Sequence, residues 1–438
     1  MTTLALPTTP TRATGELRRV DEILGAHVMG PRLRAAVGAT GRTSCSVLDA
    51  KYEPGVRCTV LYRVGDRLVR GDLVDEEIDR AEPSRPVVAP GVRLHCFPDD
   101  PDLHGLAAAF RPGVLRDALQ EPVQRTWPGT GRLVRCRVDL LRYRPGRRAT
   151  LAVQVRAPSG AARRLVVKSY HDGVKATAVV AEAALLDGTL DPSAPLRFAP
   201  VRAHLPELSL VVQEHVSGVR LDEVLRVPGP SAAVALRRAA AALAALHAQA
   251  PVSHRTRPIR AEVDRFLTRA LRVAAVAPVT GAALLDLAAR LAVTAADLPP
   301  GAVGLVHGDC KPNQFLLRGD RDVVLLDLDS CGRADPAGDV GTFLATLRQR
   351  TVRMRLARRA GPSAAGTDGP PGGVFLREYL RAAGATADTA LRRRIAWYEA
   401  VALERKALRS FARAPRSPLT GALVAEGHGV LDRLGVRR

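Results

Sequence analysis

The sequence predicts an α+β protein in which antiparallel sheets precede a mainly helical half. Residues 48–64 and 138–155 each alternate apolar or β-branched residues with polar ones around a Pro-Gly turn, as antiparallel hairpins do. From Leu221 onward the apolar residues recur with a helical period, except between residues 305 and 342. A chain of 438 residues is long enough for two or three domains with a large core.

The two hairpins share one motif. A tyrosine, a Pro-Gly turn, an arginine and a threonine recur at equal spacing in Tyr52, Pro54, Gly55, Arg57 and Thr59 and in Tyr143, Pro145, Gly146, Arg148 and Thr150. We interpret the match as a duplicated module; the alternative is two independent hairpins, because Pro-Gly turns are common. Arg70 stands in the first copy roughly where Lys168 stands in the second, and no acidic residue follows it at a comparable helical spacing. The first copy is therefore predicted to keep the sheet and to lack the chemistry.

Composition and periodicity divide the chain into four parts. Residues 1–16 are rich in threonine and proline and are expected to form a disordered tail. Residues 17–120 are expected to form an N-terminal α+β domain that begins with a helix over about 16–37. Residues 121–216 contain the second hairpin, a third strand and a helix, and residues 217–438 are mainly helical.

The chain is strongly basic, with a net charge of +21, and 60 of its 65 basic residues are arginine because only five are lysine. Such arginine richness often reflects the base composition of a genome. A functional interpretation is a surface that attracts anions such as nucleotides or acidic peptides. We expect no nucleic-acid binding, because aromatic residues make up 4% of the chain and no basic block is interleaved with them.

The cysteine pattern and the hydropathy predict a cytoplasmic protein. Six scattered cysteines form no C-x-x-C pair and no cluster with histidine, so neither structural zinc nor a disulfide framework is expected. Free thiols are typical of a reducing compartment. The first residues lack the apolar core of a signal peptide, and no run approaches the roughly 20 apolar residues that span a bilayer. No membrane partner is therefore expected.

The stretch between residues 305 and 342 carries the strongest chemical signal. Asp309 follows His307 and Gly308, and Asp327 comes 18 residues later, directly after an apolar strand pattern. One carboxylate that orients an acceptor hydroxyl and another that holds Mg²⁺ on the phosphates are what phosphoryl transfer needs. Asp339 opens the next helix, where a carboxylate binds free N–H groups, and we expect it to brace the loop of Asp309.

With their spacing, these residues resemble the aminoglycoside phosphotransferase and choline kinase family, small-molecule kinases with a protein-kinase-like fold. The matching motifs are His307-Gly308-Asp309 with Lys311-Pro312, the strand before Asp327, and Asp335-Pro336-Ala337-Gly338-Asp339. The resemblance covers residues 132–414. It implies two lobes, an antiparallel-sheet N-lobe at 121–216 and a mainly helical C-lobe at 217–438, with an extra N-terminal α+β domain that resembles a degenerate N-lobe.

The resemblance also implies catalytic and phosphate-binding roles. Asp309 would be the catalytic base, and Lys311 would contact the γ-phosphate. Lys168 would bind the nucleotide phosphates and pair with Glu182, which lies 14 residues further on in a helix. A lysine in an apolar strand otherwise needs a reason to be there, which agrees with a phosphate-binding role.

Two further segments of the resemblance concern the nucleotide. The turn of the second hairpin stands where the family covers the phosphates; Gly146 allows close backbone approach and Arg148 adds positive charge. The turn is neither a G-x-G-x-x-G nor a Walker motif. The hinge between the lobes, whose backbone would bind adenine, is expected at Gln213, Glu214 and Val216.

Asp327 and Gln314 are the implied ligands of Mg²⁺. The family usually has asparagine five residues after the catalytic aspartate, where this chain has Gln314 preceded by Asn313. The amide oxygen of a glutamine is also a ligand that suits a hard cation such as Mg²⁺. We prefer Gln314, because Pro312 and the apolar residues after it then keep the family register. Asn313 in a shifted loop is the alternative.

ATP and Mg²⁺ are the implied cofactors, and a hydroxyl of a small molecule is the implied acceptor. Arginines outnumber acidic residues in the segments expected on the acceptor side, which favours a neutral or anionic acceptor over a polycation. A Ser or Thr hydroxyl of a peptide in a natural-product pathway is an alternative acceptor. A non-catalytic nucleotide-binding scaffold is the alternative of another class, and the N-terminal domain is a candidate surface for a protein partner.

Overall fold

A computed structural model describes residues 10–39, 41–73, 91–187, 190–191, 193–256, 260–357 and 371–435. Its first part contains two helices and four strands: α1 (Pro10–Leu24), α2 (Ala26–Ala36), β1 (Cys45–Glu53), β2 (Arg57–Val64), β3 (Arg67–Leu73) and β4 (Val92–Cys96). The strands form an antiparallel sheet in the order β1-β2-β3-β4. The buried Tyr62 hydroxyl of this sheet donates to the carbonyl of Ile23 at 2.6 Å, which fastens α1 to the sheet.

Two sequence predictions for this part need correction. The single helix expected over 16–37 is two helices, because the chain leaves the helical region at Gly25, whose ψ is 96°. The helix α1 begins at Pro10, inside the expected disordered tail of residues 1–16. Residues 1–9 lie outside the described residues.

A second antiparallel sheet follows two short helices. The elements in chain order are α3 (His104–Ala109), α4 (Pro112–Thr126), β5 (Arg135–Arg144), β6 (Arg148–Arg156), β7 (Ala162–Tyr170), α5 (Gly173–Asp187), β8 (Leu196–Phe198), β9 (Val201–Leu205) and β10 (Leu210–Glu214). The sheet order is β5-β6-β7-β10-β9. In β6, Ala149, Leu151, Val153 and Val155 are buried while their neighbours are not, which is the period-two pattern of a strand with one face on the core.

The two hairpins pair in the same register. Glu53 pairs with Arg57 in the first and Arg144 with Arg148 in the second, so each Pro-Gly turn closes a loop of three residues. The prediction of strands over residues 45–74 is confirmed for the part that the structure describes, up to Leu73. The observed mixture of antiparallel sheets and helices confirms the α+β fold class.

The third strands of the two modules do not correspond as predicted. Thr59 pairs with Asp72, and its counterpart Thr150 pairs with Lys168. Asp72, not Arg70, therefore stands at the position of Lys168. The offset arises because β2 and β3 are joined by two residues, whereas five residues join β6 and β7.

The remaining chain is mainly helical. Its elements are β11 (Val219–Arg220), α6 (Leu221–Val224), α7 (Pro230–His247), α8 (Arg260–Val276), α9 (Pro278–Ala296), β12 (Gly304–Val306), β13 (Phe315–Arg318), β14 (Asp322–Leu325), β15 (Gly332–Ala334), α10 (Ala337–Ala357), α11 (Pro371–Ala382), α12 (Thr389–Arg413) and α13 (Leu419–Asp432). The strands β11, β13, β14 and β8 form one small sheet, and β12 pairs with β15. The Asp388 side chain caps α12 by accepting from the N–H of Leu391 at 2.7 Å.

The N-terminal domain shares cores with both other parts. Tyr52 of β1 packs on Phe411 of α12 with ring centroids 6.0 Å apart, within one apolar cluster that includes α8, α9 and α13. On the other side, Phe97 contacts Tyr143 of β5 edge to face at 5.0 Å. The predicted position beside residues 121–216 is therefore only half of its contact surface.

The helix α9 has the length and mean hydropathy, 1.5, of a membrane span, contrary to the expectation that no run comes close. Leu284, Leu287 and Leu291 of α9 are buried in the shared apolar core. Arg290 of the same helix forms an ion pair of 2.7 Å with Asp432. These contacts are those of a core helix.

Candidate active site

The loop that follows β12 carries Asp309 and is held by Asp339. The Asp339 carboxylate, buried in the first turn of α10, accepts the N–H of His307 at 2.6 Å and that of Gly308 at 2.8 Å. His307 Nε2 lies 2.8 Å from the carbonyl of Leu326, and its Nδ1 accepts the N–H of Asp309 at 3.3 Å, which fits the tautomer protonated at Nε2. The prediction that Asp339 braces this loop is confirmed.

Asp309 has a side-chain exposure of 28% and is hydrogen-bonded to Lys311. Burial alone would raise the pKa of Asp309, but the Lys311 ammonium and His307 lower it below its ordinary value. The carboxylate is therefore ionised at neutral pH and has an oxygen that can accept a hydroxyl proton. Lys311 interacts electrostatically with Asp327 as well, so it lies between the two acidic centres.

Two cations of the second sheet reach across to two carboxylates of the helical half. Lys168 Nζ lies 3.1 Å from Asp327 and 3.0 Å from Asp329. Arg148 holds both oxygens of Asp327, at 2.8 and 2.9 Å, and also bonds to Asp329. Although burial opposes ionisation, these cations hold the pKa of Asp327 well below its ordinary value. The cluster therefore joins the two lobes through charge.

Asp327 follows β14 in a left-handed backbone conformation, with φ of 64°. Such a conformation is uncommon for a residue with a side chain and costs of order 1 kcal/mol or more. The buried Gln314 places its Nε2 at 3.3 Å from Asp327 Oδ2. Of the two amides considered for the metal, Gln314 therefore contacts Asp327 directly, and its role as a ligand stays a prediction.

The donor set around Asp327 fits Mg²⁺ in chemistry. Carboxylate oxygens of Asp327 and Asp329 and the amide oxygen of Gln314 are the hard ligands that this ion prefers. The described residues contain no group of three or more His, Cys, Asp and Glu side chains arranged for a metal. The guanidinium of Arg148 occupies both oxygens of Asp327, so a metal and Arg148 compete for this carboxylate.

Glu182 does not pair with Lys168, which corrects the predicted ion pair. Glu182 is buried in α5, and its Oε1 has no hydrogen-bond partner among the described residues. The helix α5 packs against residues 328–330 and turns Glu182 toward Cys331. Burial, and then the Glu182 charge, raises the pKa of the Cys331 thiol to about 12. Lys168 instead bonds to the two aspartates, which together offer a stronger charge than a single glutamate.

The turn of the second hairpin also differs from its predicted role. The N–H of Gly146 donates to Asp100 Oδ2 at 2.8 Å, so this donor is bound within the protein and not left for a phosphate. A Cβ atom at Gly146 would lie 2.7 Å from an oxygen of Asp102, which shows how closely the turn meets the N-terminal domain. Arg148, expected over the phosphates, contacts Asp327 and Asp329.

The contacts of Asp100 form a hub that the sequence did not reveal. Its fully buried carboxylate also accepts the hydroxyl of Tyr143 at 2.7 Å and pairs with Arg70 at 2.6 Å. Arg70 pairs in addition with Asp72 and Asp102. No local pattern marks Asp100, since its partner Gly146 lies 46 residues away. The two matching Pro-Gly turns, each followed by a charged residue in the third strand, were the only sequence signal that pointed to this region.

Gln213 and Glu214 are the last two residues of β10, and Val216 follows the strand. The N–H of Glu214 donates to Pro200 at 2.9 Å and that of His215 to Arg164 at 3.2 Å. The Glu214 side chain pairs with Arg202, and Gln213 is buried. Within the described part of the chain, no protein hydrogen bond engages the N–H of Val216, so this group is free for a ligand.

Antiparallel-sheet and helical lobes joined by a hinge, with a braced aspartate beside a lysine–aspartate cluster, define the class of two-lobed phosphotransferases. The profile of the phosphotransferase enzyme family, APH, matches residues 144–398. The chain belongs to this family, which confirms the resemblance read from its motifs. A sequence comparison with curated proteins gives no match.

Several solved structures have similar folds. A choline/ethanolamine kinase family protein from Mesorhizobium loti is 15% identical, with a TM-score of 0.45 over 73% of this chain and 94% of that one. Aminoglycoside phosphotransferase APH(4)-Ia is 13% identical, with a TM-score of 0.47 over 73% and 99%. The macrolide 2'-phosphotransferase MphH from Brachybacterium faecium is 19% identical, with a TM-score of 0.43 over 70% and 96%.

Proposed function

We propose that the protein is a kinase that uses ATP and Mg²⁺ to phosphorylate a hydroxyl of a small molecule. The observation that supports this most is the contact of Lys168 with Asp327 across the lobes, next to an ionised Asp309 in a braced loop. Membership of the family supports phosphotransfer in general. The nucleotide, the metal and the acceptor belong to the proposal, as does a cytoplasmic location.

The geometry suggests a simple division of labour. Asp309 accepts a hydrogen bond from the acceptor hydroxyl and takes its proton as the hydroxyl oxygen bonds to the γ-phosphorus. The bond from the γ-phosphorus to the bridging oxygen breaks, and ADP leaves. Lys311, already bonded to Asp309, is placed to contact a γ-phosphate oxygen, and Lys168 binds the phosphates further from the acceptor.

A bound Mg²⁺ would supply positive charge that neutralises the charge developing on the phosphates. Asp327, Gln314 and Asp329 are the residues whose oxygens would hold it. Arg148 must first release Asp327, because it covers both oxygens of that carboxylate. Once released, its guanidinium is free to bind an oxyanion such as a phosphate.

The test is ATP turnover with an Asp309→Asn variant. We expect Mg²⁺-dependent ATP hydrolysis that falls by roughly 10²–10⁴-fold in this variant, since the base is lost while the side chain keeps its size. Asp320→Asn is the matched control, because Asp320 is an exposed turn residue next to β13. Unchanged hydrolysis in Asp309→Asn would contradict the role of Asp309.

A non-catalytic nucleotide-binding scaffold is the second candidate, and one observation favours it. Arg148 and Lys168 both bond to Asp327, the carboxylate that is proposed to hold the metal. A scaffold would bind ATP equally well with and without Mg²⁺ in a thermal-shift experiment and would show no turnover. A kinase would require Mg²⁺ for its full shift. Phosphate transfer from ATP to Ser- and Thr-containing peptides tests the alternative acceptor class.

A further inference from the structure

Four basic side chains near Asp309 form no ion pair with a carboxylate of the described residues. The cation cluster consists of Arg144 at the end of β5, Arg269 of α8, and Lys406 and Arg409 of α12. Within the described residues, none of the four forms an ion pair with a carboxylate. Their neighbours on the same helices are paired: Arg405 bonds to Glu262 at 2.6 Å and Arg272 to Glu53 at 2.9 Å. The neighbouring arginines are thus neutralised by carboxylates, whereas the four side chains of the cation cluster are not.

The cation cluster faces the reacting centre. Arg144, Lys406 and Arg409 each interact electrostatically with Asp309, and Arg269 interacts with Arg409. Asp309, with which all three interact, is already bonded to Lys311, and Arg144 also interacts with Asp327. Several positive charges therefore surround one carboxylate that another lysine has largely neutralised.

Lys406 has only neutral hydrogen-bond partners among the described residues. Its ammonium is partly buried and donates to two neutral oxygens, Thr346 Oγ1 at 2.9 Å and Gln349 Oε1 at 3.3 Å. Burial lowers the pKa of Lys406 to about 7, and Arg409 and Lys311 act in the same direction. Burial, and then Arg142 and Arg148, lowers the pKa of Arg144 to about 10. A bound anion would relieve this mutual repulsion.

Three members of the cation cluster lie on other elements than the cations of the nucleotide side, and the fourth, Arg144, pairs with Arg148 across the second hairpin. The nucleotide groups are Lys168 and Arg148, which come from the second sheet and contact Asp327. Arg269, Lys406 and Arg409 come from α8 and α12, two helices that pack on each other and on β1. The acceptor hydroxyl must approach Asp309 from the side opposite the leaving ADP, because attack on the γ-phosphorus is in line.

We propose that the acceptor is an anionic hydroxyl compound whose phosphate or carboxylate group is bound by Arg409, Lys406 and Arg144 while its hydroxyl meets Asp309. Guanidinium groups suit these oxyanions because they donate two parallel hydrogen bonds. A polycationic acceptor would meet like charges at the same place. The inference rests on the proposed kinase function and defines its substrate class.

The first test measures anion binding without any turnover. Inorganic phosphate is titrated calorimetrically into the whole protein saturated with ADP, so that the sites of the α- and β-phosphates are filled and Arg409→Gln distinguishes the cation cluster from the γ-phosphate site. We expect binding that weakens about tenfold or more in Arg409→Gln. Arg393→Gln is the matched control, an exposed arginine of the same helix four and a half turns away. Binding that ADP abolishes, or that Arg409→Gln leaves unchanged, would overturn the proposal.

The second test compares acceptors of one carbon skeleton: ribose, ribose 5-phosphate and ribonate, with kanamycin as a polycation. We expect kcat/KM to be at least about tenfold higher for one of the anions than for ribose, with Arg409→Gln raising KM for that acceptor and not for ATP. Preference for ribose 5-phosphate or for ribonate identifies the oxyanion. Preference for ribose or kanamycin overturns the proposal. If none of them is phosphorylated while ATP is still hydrolysed, the phosphate titration decides, and absence of all turnover counts against the kinase function alone.

Discussion

The two sheets have the same hairpin but use their charges differently. In the first sheet, Asp72 faces Thr59, and its charge is satisfied locally by Arg70. In the second sheet, Lys168 faces Thr150, and its charge is satisfied by Asp327 and Asp329 of the other lobe. The side chain at this strand position is thus negative in the first module, where its ion pair is local, and positive in the second, where its ion pairs connect to the other lobe.

The first module supports the second through contacts with its turn. Arg70 and Asp100 of the N-terminal domain contact the turn around Gly146, which the resemblance had placed over phosphates. A sheet without phosphate-binding groups can still fix the position of a neighbouring loop through buried, charge-assisted hydrogen bonds. Four comparisons between variants test this division, and they follow in order of decreasing effect.

The largest expected effect is that of Lys168→Met on phosphotransfer. Lys168 is proposed to bind the phosphates, so its loss should lower kcat by roughly 10²–10³-fold, whereas Asp72→Asn at the equivalent position should leave kcat within about threefold. Steady-state ATP turnover with Mg²⁺ measures both. Equal losses of kcat in the two variants would contradict the difference in function that the charges of the two sheets indicate.

Removing the hub should have the largest effect on stability. Asp100→Ala leaves the buried Arg70 with one partner fewer and takes the acceptor from Tyr143 and Gly146, so unfolding free energy should fall by about 3–5 kcal/mol. The urea unfolding midpoint measures the change. Asp139→Ala is the control, because Asp139 forms an exposed ion pair with Arg137 and should matter by no more than about 0.5 kcal/mol. A midpoint as high as that of the control would show that the hub is dispensable.

The paired glycines of the two turns test whether only the second turn is held. Both have positive φ, 69° at Gly55 and 64° at Gly146, so alanine should cost about 1 kcal/mol at either position. A Cβ atom at Gly55 meets no atom within 4 Å, but at Gly146 it would approach Asp102 and Arg70. Gly146→Ala should therefore lower the thermal midpoint clearly more than Gly55→Ala. Equal shifts of the thermal midpoint would indicate that Asp102 and Arg70 can move away from the added methyl group without loss of stability.

The sequence predicted what short-range patterns determine. The hairpins, Asp309, Asp339 and Lys168 each belong to a motif that is local in the chain, and the family register located Gln314 beside Asp327. Glu182 was assigned wrongly as a partner of Lys168, because an Ala- and Leu-rich helix does not reveal which of its faces meets the strand.

The wrong alignment of Arg70 with Lys168 and the missed role of Asp100 have a different physical origin. The position equivalent to Lys168 shifted from Arg70 to Asp72 with the length of a loop, which the matching turn motif does not include. The role of Asp100 depends on how two domains pack, and such contacts join residues too far apart for any periodicity to show.

The smallest expected effect is at the two threonines that face Asp72 and Lys168. Thr59 Oγ1 donates to Asp72 at 2.7 Å, while the hydroxyl of Thr150 makes no hydrogen bond with a described residue. Valine has the same shape without the hydroxyl, so Thr59→Val should lower the free energy of unfolding by about 1 kcal/mol and Thr150→Val by less. Urea unfolding of the two variants measures the difference. Because valine also favours strands, a larger loss in Thr150→Val would mean that the hydroxyl of Thr150 has a role in the folded protein that its lack of a hydrogen bond with a described residue does not indicate.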